Sequence, residues 1–490
     1  MSPAYAALDA LMQIAGRERP QWAVIEGGAN AMKTRFYAEE AAAAALAAIG
    51  VAAADLWTLR TGETQEVRVS TREAAAALVS FALQTFGDPA LAPPARPDDA
   101  GAGSARGTPA MGFFPTSDGR WVFLHPSFPD SAARLHAMLG APADRDAVAA
   151  EAMRWTAQDL ENAIADAGLC GAMARSPEEW DDSEQGRILA ATPVVEVVRF
   201  ADSPPEALSP APDAPLSGFR VLDLTRVLAG PTCARTLAQH GAEVLYVSSP
   251  NLPTTEWFVS DTNPGKRACY LDLAAPGDAD RLRELVRGCD VFSQGYRAGA
   301  LARMGFGPLE LARLRPGVIC TSVNAYGHEG LWAGRPGWEQ LAQTVTGMAV
   351  EHGQDLFDSA RGPVLQPGAV TDYTTGFLAA LGSMIALRRR ALYGGSYLVR
   401  VSLSRTAMWV RSLGRGPASR LQTAEAHAPA ELASWMIDMP QGGFGPIRRL
   451  RPTVRMSKTP AEWRLPVSRL GAHPAEWERE RAAASAASPN

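Results

Sequence analysis

An aspartate, Asp372, stands between Gly368 and Gly376 in the stretch QPGAVTDYTTGFLAALGSMIALRRR. A carboxylate opening a long apolar helix has two uses. It caps the helix by accepting backbone N–H groups, or, desolvated beside an electrophilic centre, it attacks as a nucleophile. The positive end of the helix favours the ionised form in both. A second group of residues is cationic: Arg226, Lys266, Arg267, Arg297 and Arg303. Arginine offers a planar fork of donors and lysine a point charge, and both suit phosphate. Glu339, following Trp338, reads by itself as a helix-surface carboxylate, and His328 in AYGHEG as a loop histidine within reach of a pocket. Five cysteines form no CxxC pair and no Cys/His cluster of zinc spacing, so no metal site is expected.

The elements that must position these groups follow from periodicity. Apolar residues 221–224, a loop at 225–230, a helix-like 231–240 and apolar 244–247 read as one β-α-β unit, whose first turn is a natural phosphate or nucleotide site. Strands at 291–292 and 318–322 and helices at 278–287 and 308–313 continue the alternation, which implies a parallel sheet. A helix over 375–390, a turn at 393–396 and a strand over 397–403 follow. Upstream, a hairpin around Asp118 and Gly119 and helices over 131–139 and 147–167 make a small α+β unit. Pro-rich stretches at 89–109 and 203–215 read as linkers or mobile loops.

Shifting the chain by 332 positions lays residues 36–75 on 368–407 without a gap, matching Gly50 to Gly382, Gly62 to Gly394 and VRVS at 67–70 to VRVS at 399–402. Glu40 then falls on Asp372. The 490 residues are enough for several domains, and 47% apolar content is that of a globular protein. A net charge of −5 with scattered Lys and Arg gives no nucleic-acid footprint. The N-terminus lacks a signal-peptide pattern and no uninterrupted apolar run reaches ~18 residues, so a cytoplasmic protein with no membrane partner is expected.

In the order and spacing of these segments the chain resembles the class III CoA-transferases, the family of formyl-CoA transferase, carnitine CoA-transferase and 2-methylacyl-CoA racemase. The resemblance implies an α/β fold: a Rossmann-like parallel-sheet CoA-binding domain with a smaller α+β domain, in an interlocked homodimer. It implies a rearranged, partly duplicated order: 1–92 a degenerate copy of the later part of the Rossmann-like domain, 93–202 the small domain, 203–216 a linker, 217–415 the CoA-binding domain and 416–490 an extension. Gly368, Asp372 and Gly376 match the glycine-framed nucleophile, and Glu339 a glutamate beside it. Arg226, Val227, Leu228 and Ala229 match the adenosine-facing loop, Asn263, Lys266 and Arg267 an Asn-x-x-Lys-Arg segment, and Tyr296, Arg297 and Arg303 the segment meeting the nucleotide and its phosphates. Residues 101–107, GAGSARG, take the place of a Gly-rich loop closing over the site.

The activity so implied is transfer of CoA from an acyl-CoA to a carboxylic acid through an aspartyl anhydride and an aspartyl-CoA thioester, with CoA as the substrate group and no metal. Val247-Ser248-Ser249-Pro250 replaces an acidic continuation of the second strand, so one adenosine contact is expected to be missing. Trp338 stands where racemases carry a histidine, and an indole cannot carry the second proton of a two-base racemisation. A racemase, isomerase or lyase on the same fold, and a decayed CoA-binding protein, remain the alternatives.

Overall fold

The computed structural model describes residues 2–91, 108–210, 212–357 and 362–478. Its central sheet has seven strands, in spatial order Lys266–Tyr270, Glu243–Ser248, Arg220–Leu224, Val291–Gln294, Ile319–Asn324, Ser396–Ser402 and Glu196–Ala201. The first six are parallel and the last is antiparallel. In chain order the parallel strands read 3-2-1-4-5-6, so the winding reverses between Arg220–Leu224 and Val291–Gln294. Alternation along the first strand shows what covers each face: Val221 joins the core that holds the helices Ala229–Gln239 and Val370–Tyr393. Leu222 and Leu224 join a second core with Leu282, Leu285, Val286 and Leu311.

Lys266–Tyr270, read from the sequence as a binding segment, is an edge strand in register with Glu243–Ser248. The helix expected over 375–390 runs instead over Val370–Tyr393. Thr371, Thr374 and Thr375 are weak helix formers and hide its start, but packing against neighbouring helices overrides that propensity. Asp372 therefore sits inside the first turn rather than ahead of it. Residues 203–215 are not a mobile linker where they are described: Glu206 is ion-paired to Arg315 at 2.7 Å, Ser203 O accepts from Gly395, and Arg60 donates to the carbonyls of Ser209 and Pro215.

The two long helices Ala38–Thr61 and Val370–Tyr393 have 24 residues each, start 332 positions apart, and pack against each other. Each crosses its own strand at a glycine. A Cβ on Gly50 would meet Val67 at 2.4 Å, and one on Gly382 would meet Val399 at 2.5 Å, the same pair at the same offset. Both end alike, with Gly62 N–H on Thr58 O and Gly394 N–H on Arg390 O. Both are long and apolar enough to cross a membrane by length and composition, and both lie in the protein core. The last third of the chain closes the N-terminal part: Arg455–Met456 pairs with Val67–Ser70, and Ile447–Leu450 with Thr85–Phe86.

The small unit has the expected hairpin, Gly112–Pro115 and Trp121–Leu124, with Gly171–Met173 as third strand. The single helix expected over 147–167 is two, Arg145–Ala152 and Ala157–Asp166, because Thr156 caps the second by accepting from Asp159 N–H.

Candidate active site

The reversal of winding leaves a crevice at the carboxyl ends of Arg220–Leu224 and Val291–Gln294, the place where doubly wound sheets hold ligands. Arg226 follows the first of these strands, and Tyr296 and Arg297 follow the second. Val227 has φ +69°, the one non-glycine residue at positive φ among the described residues, and a costly one for a β-branched side chain. Leu228 and Ala229, both buried, then start the helix Ala229–Gln239. Arg303 is exposed on the short helix Ala300–Arg303. A network lines the carboxyl edge beside them: Tyr296 N–H donates to Gln294, Gln294 to Ser322 Oγ, and His328 Nε2 lies 2.9 Å from that hydroxyl. Burial pushes His328 down to about 4, so the ring is neutral at pH 7.

The small unit roofs this edge from within the same chain. Phe128 lies under the Arg226 guanidinium at 5.2 Å, and Gly168 O accepts from Arg297 at 3.1 Å. Trp338 stacks on His125 with ring centres 4.7 Å apart, and the Cys170 thiol faces the same indole. His125 is spent on structure: Nε2 meets Gln340 Oε1 at 3.0 Å, Nδ1 meets Ser127 Oγ at 2.5 Å, and burial pushes it down to about 4. It does not supply the proton carrier that Trp338 lacks. Residues 101–107 lie outside the described residues.

Asp372 is buried in the first turn of Val370–Tyr393, one turn ahead of Gly376. A Cβ on Gly376 would meet Ala229 O at 2.5 Å and Thr232 Cβ at 2.7 Å, so this glycine permits a close helix crossing. It holds the nucleophile candidate against the Arg226–Ala229 loop. Gly368, at φ +88°, lets the preceding turn approach Leu78 and Val79, and Ala369 N–H donates to Leu78 O. The helix is not capped by Asp372. Glu339 does this from another helix, accepting at Oε1 from Thr371 N–H and Thr371 Oγ1, both at 3.2 Å, and from Gln343 Nε2 at 2.5 Å.

Burial pushes Glu339 up to about 7 against those three donors. Burial, and then the charge of Glu339, hold Asp372 well above the usual carboxylate range. The expectation that the helix end alone keeps Asp372 ionised is therefore corrected. Two desolvated carboxyls in mutual range share protons, because both cannot ionise cheaply. Glu339 has the donors, so it is the better-stabilised anion of the pair.

The Asn-x-x-Lys-Arg segment is placed away from solvent. Lys266 is fully buried, with Nζ 2.7 Å from Asp223 Oδ2 and 2.8 Å from Pro231 O. Asn263 donates to Ser468 O, and Arg267 to Glu476 O, both beneath the C-terminal extension. These three hold the edge strand and the extension together, and no phosphate reaches them in this arrangement. Glu40, at the offset position of Asp372, is ion-paired to Arg420 at 2.8 Å.

The sequence reading missed Asp261, a fully buried carboxylate that accepts from Arg235 at 2.8 Å, Tyr373 Oη at 2.8 Å, Ser80 Oγ at 3.0 Å and Arg449 at 3.1 Å. It ties the N-terminal part, the helix of Asp372 and the extension together. Its partners come from four distant segments, and periodicity carries no such signal.

The sequence model of CoA-transferase family III matches residues 3–207 and again 216–415. The chain belongs to CoA-transferase family III. An acyl-CoA transferase of Gibberella moniliformis is 36% identical over 60% of this chain and 55% of its own length. Succinyl-CoA:glutarate CoA-transferase of Mus musculus is 33% identical over 39% of this chain and 45% of its own. The chain spans about half the length of these family III relatives. The solved structure of Rv3272 from Mycobacterium tuberculosis is 27% identical over 41% of this chain and 59% of its own, with a TM-score of 0.38.

Proposed function

We propose that this family III protein is an acyl-CoA:carboxylate CoA-transferase with Asp372 as nucleophile, acting on CoA thioesters bound in a Rossmann-like domain at the crevice between Arg226 and Arg297. The observation that carries the reading is the buried Asp372–Glu339 pair, its Asp372 on a helix that Gly376 holds against the Arg226–Ala229 loop. A carboxyl that burial has stripped of water is a stronger nucleophile once ionised than one in solvent.

The covalent sequence balances without metal or redox partner. The Asp372 oxygen attacks the thioester carbonyl, the C–S bond breaks, and CoA thiolate leaves a mixed anhydride. The thiolate then attacks the aspartyl carbonyl and expels the donor acid, leaving an aspartyl-CoA thioester. An acceptor carboxylate attacks that thioester, expels CoA thiolate and forms the second anhydride. Thiolate attack on the acceptor carbonyl releases the new acyl-CoA and regenerates the Asp372 carboxylate. In this reading Arg226, Arg297 and Arg303 hold CoA phosphates and Tyr296 meets the nucleotide. Glu339 takes and returns the proton of Asp372. The chain is read as a cytoplasmic homodimer, with donor and acceptor acids open.

The transferase reading is preferred to a racemase because neither the Trp338 indole nor the fully bonded His125 offers the second proton carrier that a racemase needs there. Incubation with a panel of acyl-CoAs and free acids, following CoA exchange by chromatography, tests it. Exchange that depends on Asp372 supports the proposal, and α-proton exchange without CoA transfer overturns it.

A further inference from the structure

Thr34 lies in the N-terminal part of the chain, more than 300 positions before Asp372, yet a line of buried hydrogen bonds runs from it, through the backbone N–H of Gln366, to the Glu339 carboxyl whose charge acts on Asp372. Thr34 Oγ1 accepts from Phe36 N–H at 3.1 Å, which leaves its proton for Gln366 Oε1 at 2.6 Å. Gln366 Nε2 faces Met348 O at 3.4 Å, so that amide has one orientation. Gln366 N–H donates to Gln343 Oε1 at 2.7 Å, which turns Gln343 Nε2 onto Glu339 at 2.5 Å. The side-chain bonds to Thr34 and Met348 anchor Gln366, its backbone N–H then sets the Gln343 amide, and the line ends by requiring Glu339 to accept. Thr34 and Gln366 are themselves 332 positions apart, so the two repeats touch through equivalent positions.

We infer that Thr34, Gln366 and Gln343 are positioning residues: the N-terminal repeat sets the protonation of the Glu339–Asp372 pair through this relay. The inference deepens the transferase reading and rests on it for its catalytic meaning. The relay stabilises the Glu339 anion and leaves the remaining proton of the pair to Asp372, until a bound thioester makes its removal productive.

Titratable groups on the elements packed against the Glu339 helix are Asp372 and Tyr373, Glu351, His352 and Asp355 on Met348–Leu356, and Arg405 and Arg411 on Leu403–Ser412. At the strands of the small unit they are His125, Cys170 and Arg175, and Arg388, Arg389, Arg390 and Tyr393 lie more than four turns along the Asp372 helix, ~24 Å or more away. Of these, Asp372 is the group on which the charge of Glu339 bears.

The test follows the protonated carboxyl of the pair by infrared difference spectroscopy across pH, the band being assigned by its loss in Asp372→Asn. Thr34→Val removes the donor to Gln366 and should raise the midpoint for loss of the pair's first proton by about one pH unit. The acid limb of kcat/KM should move the same way. Thr34→Ser should restore both. Gln343→Met breaks the relay one link from Glu339, should move the midpoint further, and serves if Thr34→Val does not fold. Unmoved midpoints in a folded Thr34→Val or Gln343→Met protein overturn the inference. A shifted band in a protein that exchanges no CoA keeps the relay and removes the transferase reading. An active enzyme with an unmoved band does the reverse.

Discussion

At the scale of single residues, the environment of Asp372 inverts what its position in the sequence implies. The helix end is capped by Glu339, and burial raises both carboxyls. A nucleophile must be ionised, so kcat/KM should fall as pH drops through about 7, the Glu339 value, rather than through the ordinary carboxylate range near 4. A pH–rate profile with full activity at pH 5 would contradict this. The same shift has a stability consequence. A carboxyl whose folded value is raised contributes stability that is complete below its unfolded value and lost as pH rises through about 7. Glu339→Gln should therefore gain stability relative to the parent between pH 5 and pH 8, by about 2–3 kcal/mol in denaturant titrations. Lys266 separates binding from folding. Lys266→Ala leaves Asp223 buried and unpaired and should cost roughly 3–5 kcal/mol of stability. Arg297→Ala should leave the melting temperature alone and weaken CoA binding about tenfold, ~1.5 kcal/mol, by calorimetry.

At the scale of elements, glycines decide how closely helices and strands approach. Gly376→Ala would push the Asp372 helix from Ala229 and should cost ~1–3 kcal/mol together with most of the activity. Gly50→Ala, whose Cβ meets Val67 and Val454 far from the crevice, should cost similar stability while the KM for the acyl-CoA stays put. Equal loss of activity in both variants would show that packing, not placement of Asp372, is what Gly376 provides. The strands and helices around the first β-α-β unit were legible because apolar runs of period two and helical faces alternate cleanly there. The 332-residue offset was legible through VRVS and its matching glycines; the two helices fall on it to the residue and the two strands end on it, the second starting three residues earlier. The Lys266–Tyr270 strand was not, because a lysine and an arginine at its start read as ligands for phosphate. Only the three-dimensional neighbour Asp223, 43 positions earlier, shows the lysine to be a core ion pair. The Asp261 cluster and the Thr34 relay were likewise invisible, since hydrogen bonds between distant segments leave no period.

At the scale of the whole molecule, the chain folds back on itself so that the roof, the crevice and Asp372 come from one polypeptide. Phe128 and Gly168 of the small unit meet Arg226 and Arg297 of the same chain. Mixing Asp372→Ala protein with a roof variant such as Phe128→Ala, under conditions that exchange subunits, should therefore restore no activity. Recovery toward a quarter or more of the parental rate would place the roof in trans. The central claim, that Asp372 is the covalent centre, is tested most directly by trapping. The protein is incubated with an acyl-CoA donor it turns over, quenched in acid, digested with trypsin and examined by mass spectrometry. A CoA thioester on the peptide of residues 362–388, localised to Asp372 and absent from Asp372→Asn, is the predicted result. A CoA adduct on the peptide carrying Glu40, or full transfer activity in Asp372→Asn, would contradict the account.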